Sequence, residues 1–130
     1  MIGLIPLVDT FSIYRFDDVQ EIPAEIISSG FYSMTRTEDE ISVITNCAAD
    51  FEFKKSGYPW KGFKVDGVLD FSLLGILNTI TMPLKENGIS VFVLSTFNTD
   101  YVFVKKDDFE KAMDIFRSCE GLCVLPDNKR

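Results

Sequence analysis

The sequence has 130 residues, of which 46% are hydrophobic and 25% are charged. This length suits one compact domain or two small packed ones, and the composition disfavours disorder over the whole chain. Thirteen basic residues against twenty acidic residues give a net charge of -7, with the basic residues scattered along the chain. Binding to nucleic acid or to an anionic membrane surface is therefore disfavoured, because both need clustered positive charge.

The chain contains no histidine, which is the most common general base and the most common zinc ligand. Ser-His-Asp, Cys-His and His-metal chemistry are excluded, and the sequence has no glycine-rich phosphate-binding loop. Cys47, Cys119 and Cys123 lack the CxxC spacing of a metal or redox motif. We interpret them as reduced thiols of a cytoplasmic protein, and we predict neither a metal nor a cofactor.

In the first half, alternating apolar and polar residues predict strands at residues 11–16, 31–37 and 40–45. Pro23 opens a short helix that Gly30 closes. Two flanking stretches are less regular. Residues 1–8 (MIGLIPLV) predict an arm or an edge strand, and residues 46–59 predict a connector.

The second half begins with a predicted strand at residues 60–66 and a helix at about 70–87, whose apolar side chains recur every three or four residues and which Gly88 ends. Residues 89–97 are apolar on both alternations, which predicts a central strand. A turn and a hairpin strand at 101–105 follow.

The last helix is predicted to begin at Asp107 with a capping box that includes Glu110. Its buried face consists of Phe109, Ala112, Met113 and Phe116. Gly121 ends this helix, and residues 122–125 supply a last strand before a charged tail.

The predicted order in the second half is β-α-β-β-α-β, and the first half is a shorter copy. We therefore predict an α+β protein with a ferredoxin-like βαββαβ fold, antiparallel sheets and helices on one face. We expect an N-terminal subdomain with its connector at residues 1–59 and a C-terminal subdomain at residues 60–130.

Four segments carry a resemblance to a known family: residues 31–43 (FYSMTRTEDEISV), 67–77 (GVLDFSLLGIL), 83–92 (PLKENGISVF) and 95–105 (STFNTDYVFVK). In these segments the chain resembles bacterial tandem ACT-like proteins related to the cytosolic arginine sensors of the CASTOR type. The resemblance implies two ACT-like subdomains, a homodimer, an amino-acid-sized ligand at an interface between subdomains, and no catalytic activity. The sequence departs from the family at Val68, Leu74 and Asn98, and the last change removes a carboxylate, so the ligand's identity does not carry over.

In such a fold the first strand and the first helix of the second half are joined by a loop, here residues 66–72. Its unpaired backbone N–H groups at the helix N-terminus would suit the α-carboxylate of an amino acid. Asp70 and Asp100 could bind the ligand's ammonium group, Thr96 offers a hydroxyl, and Phe97 offers an apolar wall. By the resemblance, Thr96, Phe97 and Asp100 match ligand-contacting positions. The predicted ligand-binding residues are Gly67, Val68, Leu69, Asp70, Phe71, Ser72, Thr96, Phe97, Asn98 and Asp100.

Five of the candidates also have a purely structural interpretation. Asp70 or Ser72 could be a helix N-cap, Asp100 a turn residue, and Phe71 and Phe97 core residues. The favoured hypothesis is a regulatory sensor that binds an amino acid or a similar small zwitterion. The alternative is a structural protein-protein interaction module that binds no metabolite.

Overall fold

The computed structural model describes residues 1–51, 54–55, 57–66 and 75–126. The strands, in chain order, are β1 (Ile2–Pro6), β2 (Ser12–Phe16), β3 (Tyr32–Arg36), β4 (Ile41–Thr45), β5 (Lys54–Lys55), β6 (Trp60–Val65), β7 (Val91–Ser95), β8 (Asp100–Lys105) and β9 (Leu122–Val124). The helices are α1 (Ala24–Ile27), α2 (Ile76–Glu86) and α3 (Phe109–Ser118). The described chain divides into two compact units, one formed by residues 1–8 with 61–130 and the other by residues 9–60.

The larger unit contains a five-stranded sheet with the strand order β7-β8-β6-β1-β9. The pairs β1 with β6 and β7 with β8 are antiparallel, whereas β1 runs parallel to β9. Alternate residues of the strands, including Leu4, Phe63 and Val102, share one buried core with side chains of α2 and α3. Both helices therefore cover the same face of the sheet, as the ferredoxin-like prediction required.

Phe63 lies at the centre of this core. Its ring stacks on Phe109 at a centroid distance of 4.8 Å and meets the edge of Phe116 at 5.0 Å. All four residues predicted for the inner face of the last helix are buried, namely Phe109, Ala112, Met113 and Phe116. Burial of aromatic side chains of this size stabilises the sheet-helix contact by roughly 1.5–3 kcal/mol each.

The smaller unit contains a four-stranded sheet with the order β3-β4-β2-β5. Antiparallel pairs join β2 to β4, β3 to β4 and β2 to β5. Tyr14, Phe16, Ile41 and Val43 form its core with Ile26 of α1. This is the strand order of a ferredoxin-like sheet, with one short helix on it in the described residues.

Two strand positions differ from the prediction. β1 was predicted as an arm or edge strand, but it lies inside the five-stranded sheet between β6 and β9, with Leu4 fully buried. It therefore belongs to the unit of residues 61–130, whereas the predicted boundary put residues 1–59 together.

β7 was predicted as a central strand, but among the described strands it lies at the edge of its sheet. Its second apolar alternation is explained by Phe92, which stacks on Phe103 on the face opposite the helices.

Two boundaries also differ. The predicted capping box at Asp107 is absent, because a 3-10 turn at Lys106–Asp108 leads directly into α3 and no side chain caps the helix at Asp108. In such a turn the first N–H groups form i→i+3 hydrogen bonds to backbone carbonyls, so no side-chain cap is needed.

The helix predicted from residue 70 cannot run through Gly75, whose φ of 82° is left-handed. α2 begins at Ile76. Residues 70–74 lie outside the described residues.

Two further elements were not predicted. Residues 46–59 were expected to be a connector, but they include β5, which pairs with β2. A capping box does occur earlier, on a 3-10 turn at Val19–Glu21, where the side chains of Asp18 and Glu21 each accept from a backbone N–H at the start of the turn. Gly88, predicted to end the long helix, has a φ of 72° just beyond it, as expected for that role.

Gly62 provides a test of this packing. A Cβ atom at this position would lie 2.7 Å from two ring carbons of Phe103, which is fully buried. We expect Gly62→Ala to lower the free energy of unfolding by roughly 1–3 kcal/mol, because the ring cannot move without disturbing its neighbours. Denaturant titration followed by circular dichroism measures this change.

Gly57→Ala is the matched control, because a Cβ atom there would have no other atom within 4 Å and the φ of Gly57 is not left-handed. We expect a change within about 0.5 kcal/mol there. Equal effects of the two substitutions would show that the contact with Phe103 does not limit the space at Gly62.

Candidate functional site

Three predicted site residues, Thr96, Phe97 and Asn98, lie in the turn between β7 and β8, and a fourth, Asp100, begins β8. The backbone N–H of Thr96 donates to the carbonyl of Thr99 at 2.9 Å, which closes the turn. The Thr96 hydroxyl donates to the same carbonyl at 3.0 Å, and it accepts from the N–H of Thr99 at 3.3 Å. This turn is therefore held by three hydrogen bonds between the same two residues, and the Thr96 hydroxyl takes part in two of them.

The turn is also fixed to the end of β6. The Thr99 hydroxyl donates to the carbonyl of Val65 at 2.8 Å, and Thr99 is only 3% exposed. The residue after Val65, Asp66, donates its N–H to the carbonyl of Gly3 at 2.9 Å. The hairpin turn consequently lies beside the point at which the chain leaves β6 toward residues 67–72.

Asp100 begins β8 directly after the turn and is partly buried. Its Oδ1 accepts a hydrogen bond from the Ser95 hydroxyl at 2.6 Å, which orients the carboxylate across the hairpin. An ionised carboxylate has about four acceptor positions, so this bond leaves others for a ligand's ammonium group. The turn interpretation of Asp100 and a binding role are therefore compatible.

Phe97 and Asn98 occupy the tip of the turn and are both exposed. Phe97 is 89% exposed, so its interpretation as a core residue is wrong. Its ring is instead available to contact a ligand or a partner. The neighbouring Tyr101 is partly buried, and this burial raises the pKa of its hydroxyl above the ordinary value.

The other six predicted ligand-binding residues are consecutive in the sequence. They are Gly67, Val68, Leu69, Asp70, Phe71 and Ser72, and they lie outside the described residues. The structure thus brings together Thr96, Phe97, Asn98 and Asp100 on one hairpin. It adds two residues that were not predicted, Ser95 and Thr99, although a run of small hydroxyl residues around a turn is a signal for such bonds.

Two other kinds of feature bear on function in the described part of the chain. No group of three or more Cys, Asp or Glu side chains is arranged to hold a metal ion there. No helix in that part is long and apolar enough to cross a membrane.

Comparison with known families identifies the fold. The model of the ACT domain matches residues 55–118, which include β6, α2, the hairpin and α3. The chain thus contains an ACT domain. A second family model, which describes an N-terminal domain, matches residues 9–51 of this ACT protein.

Curated relatives agree with this assignment. The chain is 29% identical over 117 residues to the rat protein named cytosolic arginine sensor for mTORC1 subunit 1, and the match covers 78% of this chain and 35% of the relative. The human protein of the same name is 29% identical over 101 residues, or 71% of this chain and 31% of the relative. The chain thus spans about a third of the length of these curated relatives.

Solved structures extend the comparison over the whole chain. A crystallised protein from Agrobacterium tumefaciens is 32% identical, with a TM-score of 0.83, and the match covers 99% of this chain and 96% of that one. The aspartate kinase of Clostridium acetobutylicum, described as an allosteric enzyme, shares the fold at 17% identity and a TM-score of 0.61. That match covers 88% of this chain and 32% of the kinase.

The bond between Thr99 and Val65 can be tested by Thr99→Val. The two side chains have nearly the same shape, so the substitution removes the hydroxyl without opening a cavity. We expect the free energy of unfolding to fall by roughly 1–3 kcal/mol, because a buried carbonyl loses its partner. Thermal or denaturant unfolding measures the loss.

Thr96→Val is the matched control in the same turn. Thr96 is exposed, so water replaces the lost hydroxyl and we expect a loss of under about 1 kcal/mol. If Thr96→Val were the more destabilising of the two, the bond to Val65 would not be what fixes the hairpin.

Proposed function

We propose that this ACT protein is a regulatory sensor that binds an amino acid or a similar small zwitterion and catalyses no reaction. The binding site is the region where the chain leaves β6 and meets the hairpin turn. It comprises residues 67–72 together with Thr96, Phe97, Asn98 and Asp100. The observation that carries this proposal is the hydrogen bond between Thr99 and Val65, which holds the hairpin beside the start of the predicted loop.

The chemistry of a zwitterion supports this choice. An ammonium group needs a negatively charged or carbonyl acceptor, and Asp100 supplies a carboxylate that Ser95 already orients. A carboxylate group needs N–H donors, and we propose that backbone N–H groups of residues 67–72 supply them. One ligand with both groups a few ångströms apart would satisfy both sides of the site.

The relatives support the same class of ligand. The curated relatives are named as arginine sensors. Arginine is not carried over as the ligand, because Asn98 stands where the family commonly has an acid. We therefore propose the class of ligand and leave its side chain to experiment.

We further propose that the protein acts in the cytoplasm as a homodimer. β7 offers an edge for a second copy, since it lies at the end of the described sheet order and Val93 is 37% exposed. Unpaired edge strands readily add another strand. The exposed Phe97 ring, at the end of the same strand, would extend that contact.

The exposed Phe97 and the edge of β7 also favour the alternative, a module that binds another protein and no metabolite. The two hypotheses differ in their response to small molecules. A sensor changes stability with its ligand, whereas an interaction module is indifferent to metabolites and keeps a stable partner.

A thermal-shift screen of the twenty amino acids tests the sensor. At a hundredfold excess over Kd, the ligand should stabilise the folded protein by about 2.7 kcal/mol, because it binds the folded state and not the unfolded one. The melting temperature should rise for one amino acid or for one chemical group of them. No rise with any amino acid would favour the interaction module.

The site itself is tested with Asp100→Asn. The amide oxygen still accepts from Ser95, so the hairpin keeps its bond while the negative charge is lost. We expect the amino acid found in the screen to bind at least about tenfold more weakly, because a charge-assisted hydrogen bond is lost. Isothermal titration calorimetry measures the affinity.

Asp114→Asn is the matched control, since Asp114 is exposed on α3 and its carboxylate faces Arg117 at 3.6 Å. The Asp114→Asn variant should bind the same amino acid with the affinity of the unsubstituted protein. Unchanged binding in Asp100→Asn would place the ammonium group away from this hairpin.

The dimer is tested by light scattering, which should give twice the chain mass of 14.7 kDa. Val93→Lys puts a charge on the edge strand, and we expect it to shift the protein toward the monomer. Val19→Lys is the control, because Val19 is similarly exposed, at 41%, but lies in a 3-10 turn. A dimer that survives Val93→Lys would have to use another surface.

A further inference from the structure

A groove lies at the end of the five-stranded sheet opposite the hairpin turn. The turn at residues 96–99 joins one end of β7 and β8, and β8 then runs to its other end at Lys105. There the 3-10 turn and the start of α3 meet the chain that follows β1. The groove has a volume of about 480 Å³, and its lining includes Leu7, Lys61, Lys106, Phe109, Glu110 and Met113.

The first feature of this groove is a positioned ammonium group. The Lys61 Nζ donates to the carbonyl of Val8 at 3.3 Å and lies 4.6 Å from the centroid of the Phe109 ring. The ammonium group has three N–H donors, and one is used by Val8. Its position is therefore fixed by a hydrogen bond and a cation-π contact, and donors are left for a ligand.

The second feature is a second cation nearby. Lys106 is exposed and lines the same groove, and within the described residues its side chain makes no hydrogen bond or ion pair. The lining thus contains two lysines, although the chain as a whole has a net charge of -7. Glu110 is the acidic residue in the lining, so the lining carries two positive charges and one negative charge.

The third feature is an apolar floor. Leu7, Phe109 and Met113 are 9%, 7% and 9% exposed, so each presents a small apolar surface to the groove. Ligand pockets typically combine an apolar lining with a few placed polar groups. Here the lining combines apolar side chains with two ammonium groups.

We propose that this groove binds a small organic monoanion, namely a carboxylate that carries an apolar body. The carboxylate would lie between Lys61 and Lys106, and the apolar body would lie on Phe109 and Met113. A monoanion fits better than a phosphate dianion, because two carboxylates in the adjoining 3-10 turn (Asp107 and Asp108) and one at the start of α3 (Glu110) lie near the lysines. This site is separate from the one at the hairpin and does not depend on it.

The experiment titrates the full chain with phenylacetate and records backbone amide and methionine methyl NMR signals. Phenylacetamide, which has the same shape and no charge, is the matched ligand control. We expect saturable shifts at Lys61, Lys106 and Met113 with phenylacetate and at least a fivefold weaker response with the amide. Equal responses, or no saturable shift at these residues, would overturn the proposal.

Lysine variants then test which ammonium groups contribute to phenylacetate binding. Lys106→Gln should weaken phenylacetate binding roughly twofold to fivefold, as expected for an exposed charge pair, and Lys61→Gln should weaken it more. Lys111→Gln, an exposed lysine of α3 outside the lining, should leave it unchanged.

The direction of the affinity change caused by Glu110→Gln distinguishes a monoanion from a zwitterion. Removal of its negative charge should strengthen phenylacetate binding, whereas it would weaken a zwitterion whose ammonium group faced Glu110. Tighter binding of L-leucine or of inorganic phosphate than of phenylacetate would contradict the proposal. Asp100→Asn should not change phenylacetate binding, so the outcome is independent of the hairpin site.

Discussion

The position of β6 depends on the packing of Phe63, which lies between the two aromatic rings of α3. Phe109 stacks on one side of it and Phe116 meets it edge-on, at 4.8 and 5.0 Å. Residues two positions away along a strand point to the same face, so Lys61 and Val65 project from β6 on either side of this contact. The contact therefore fixes both proposed binding regions, since the Val65 carbonyl accepts from Thr99 of the hairpin and Lys61 lines the opposite groove.

The two units show how much a ferredoxin-like sheet depends on its helices. In the larger unit, α2 and α3 bury the inner face of the sheet, and Val102 and Val104 are fully buried. In the smaller unit, β3 pairs Met34 with Val43 and so puts Met34 on the core face. Nevertheless Met34 is 44% exposed, because the single-turn helix α1 is too short to cover the edge of the sheet.

The sequence was sufficient to predict most elements because their signals are local. Alternation identified β2, β3 and β4, the turn after β7 identified β8, and the three-to-four spacing identified the buried face of α3. The sequence could not identify which strands are adjacent in the sheet. An apolar segment indicates that a strand is buried, but it does not indicate which strand pairs with it. For that reason β1 and β7 were both assigned to the wrong position in the sheet.

The same limit applies to the hairpin site. Thr96 and Thr99 have the same side chain and lie three residues apart, but one closes the turn and the other bonds to Val65. The position of β6, which is distant in sequence, determines which threonine bonds to Val65 and which one closes the turn. Thr96 was predicted from the family resemblance, whereas Thr99 is the residue whose burial and bond fix the hairpin.

A binding site must keep its polar groups satisfied when no ligand is present, and the hairpin does this with its own side chains. Ser95 occupies one acceptor position of Asp100, and the Thr96 hydroxyl bonds within the turn. These bonds orient the carboxylate without using all its acceptors, so a ligand would need little rearrangement on the hairpin side. A preorganised group costs less on binding than one that must be ordered first. Internal hydrogen bonds at this turn therefore argue for a receptive site as well as for a stable turn.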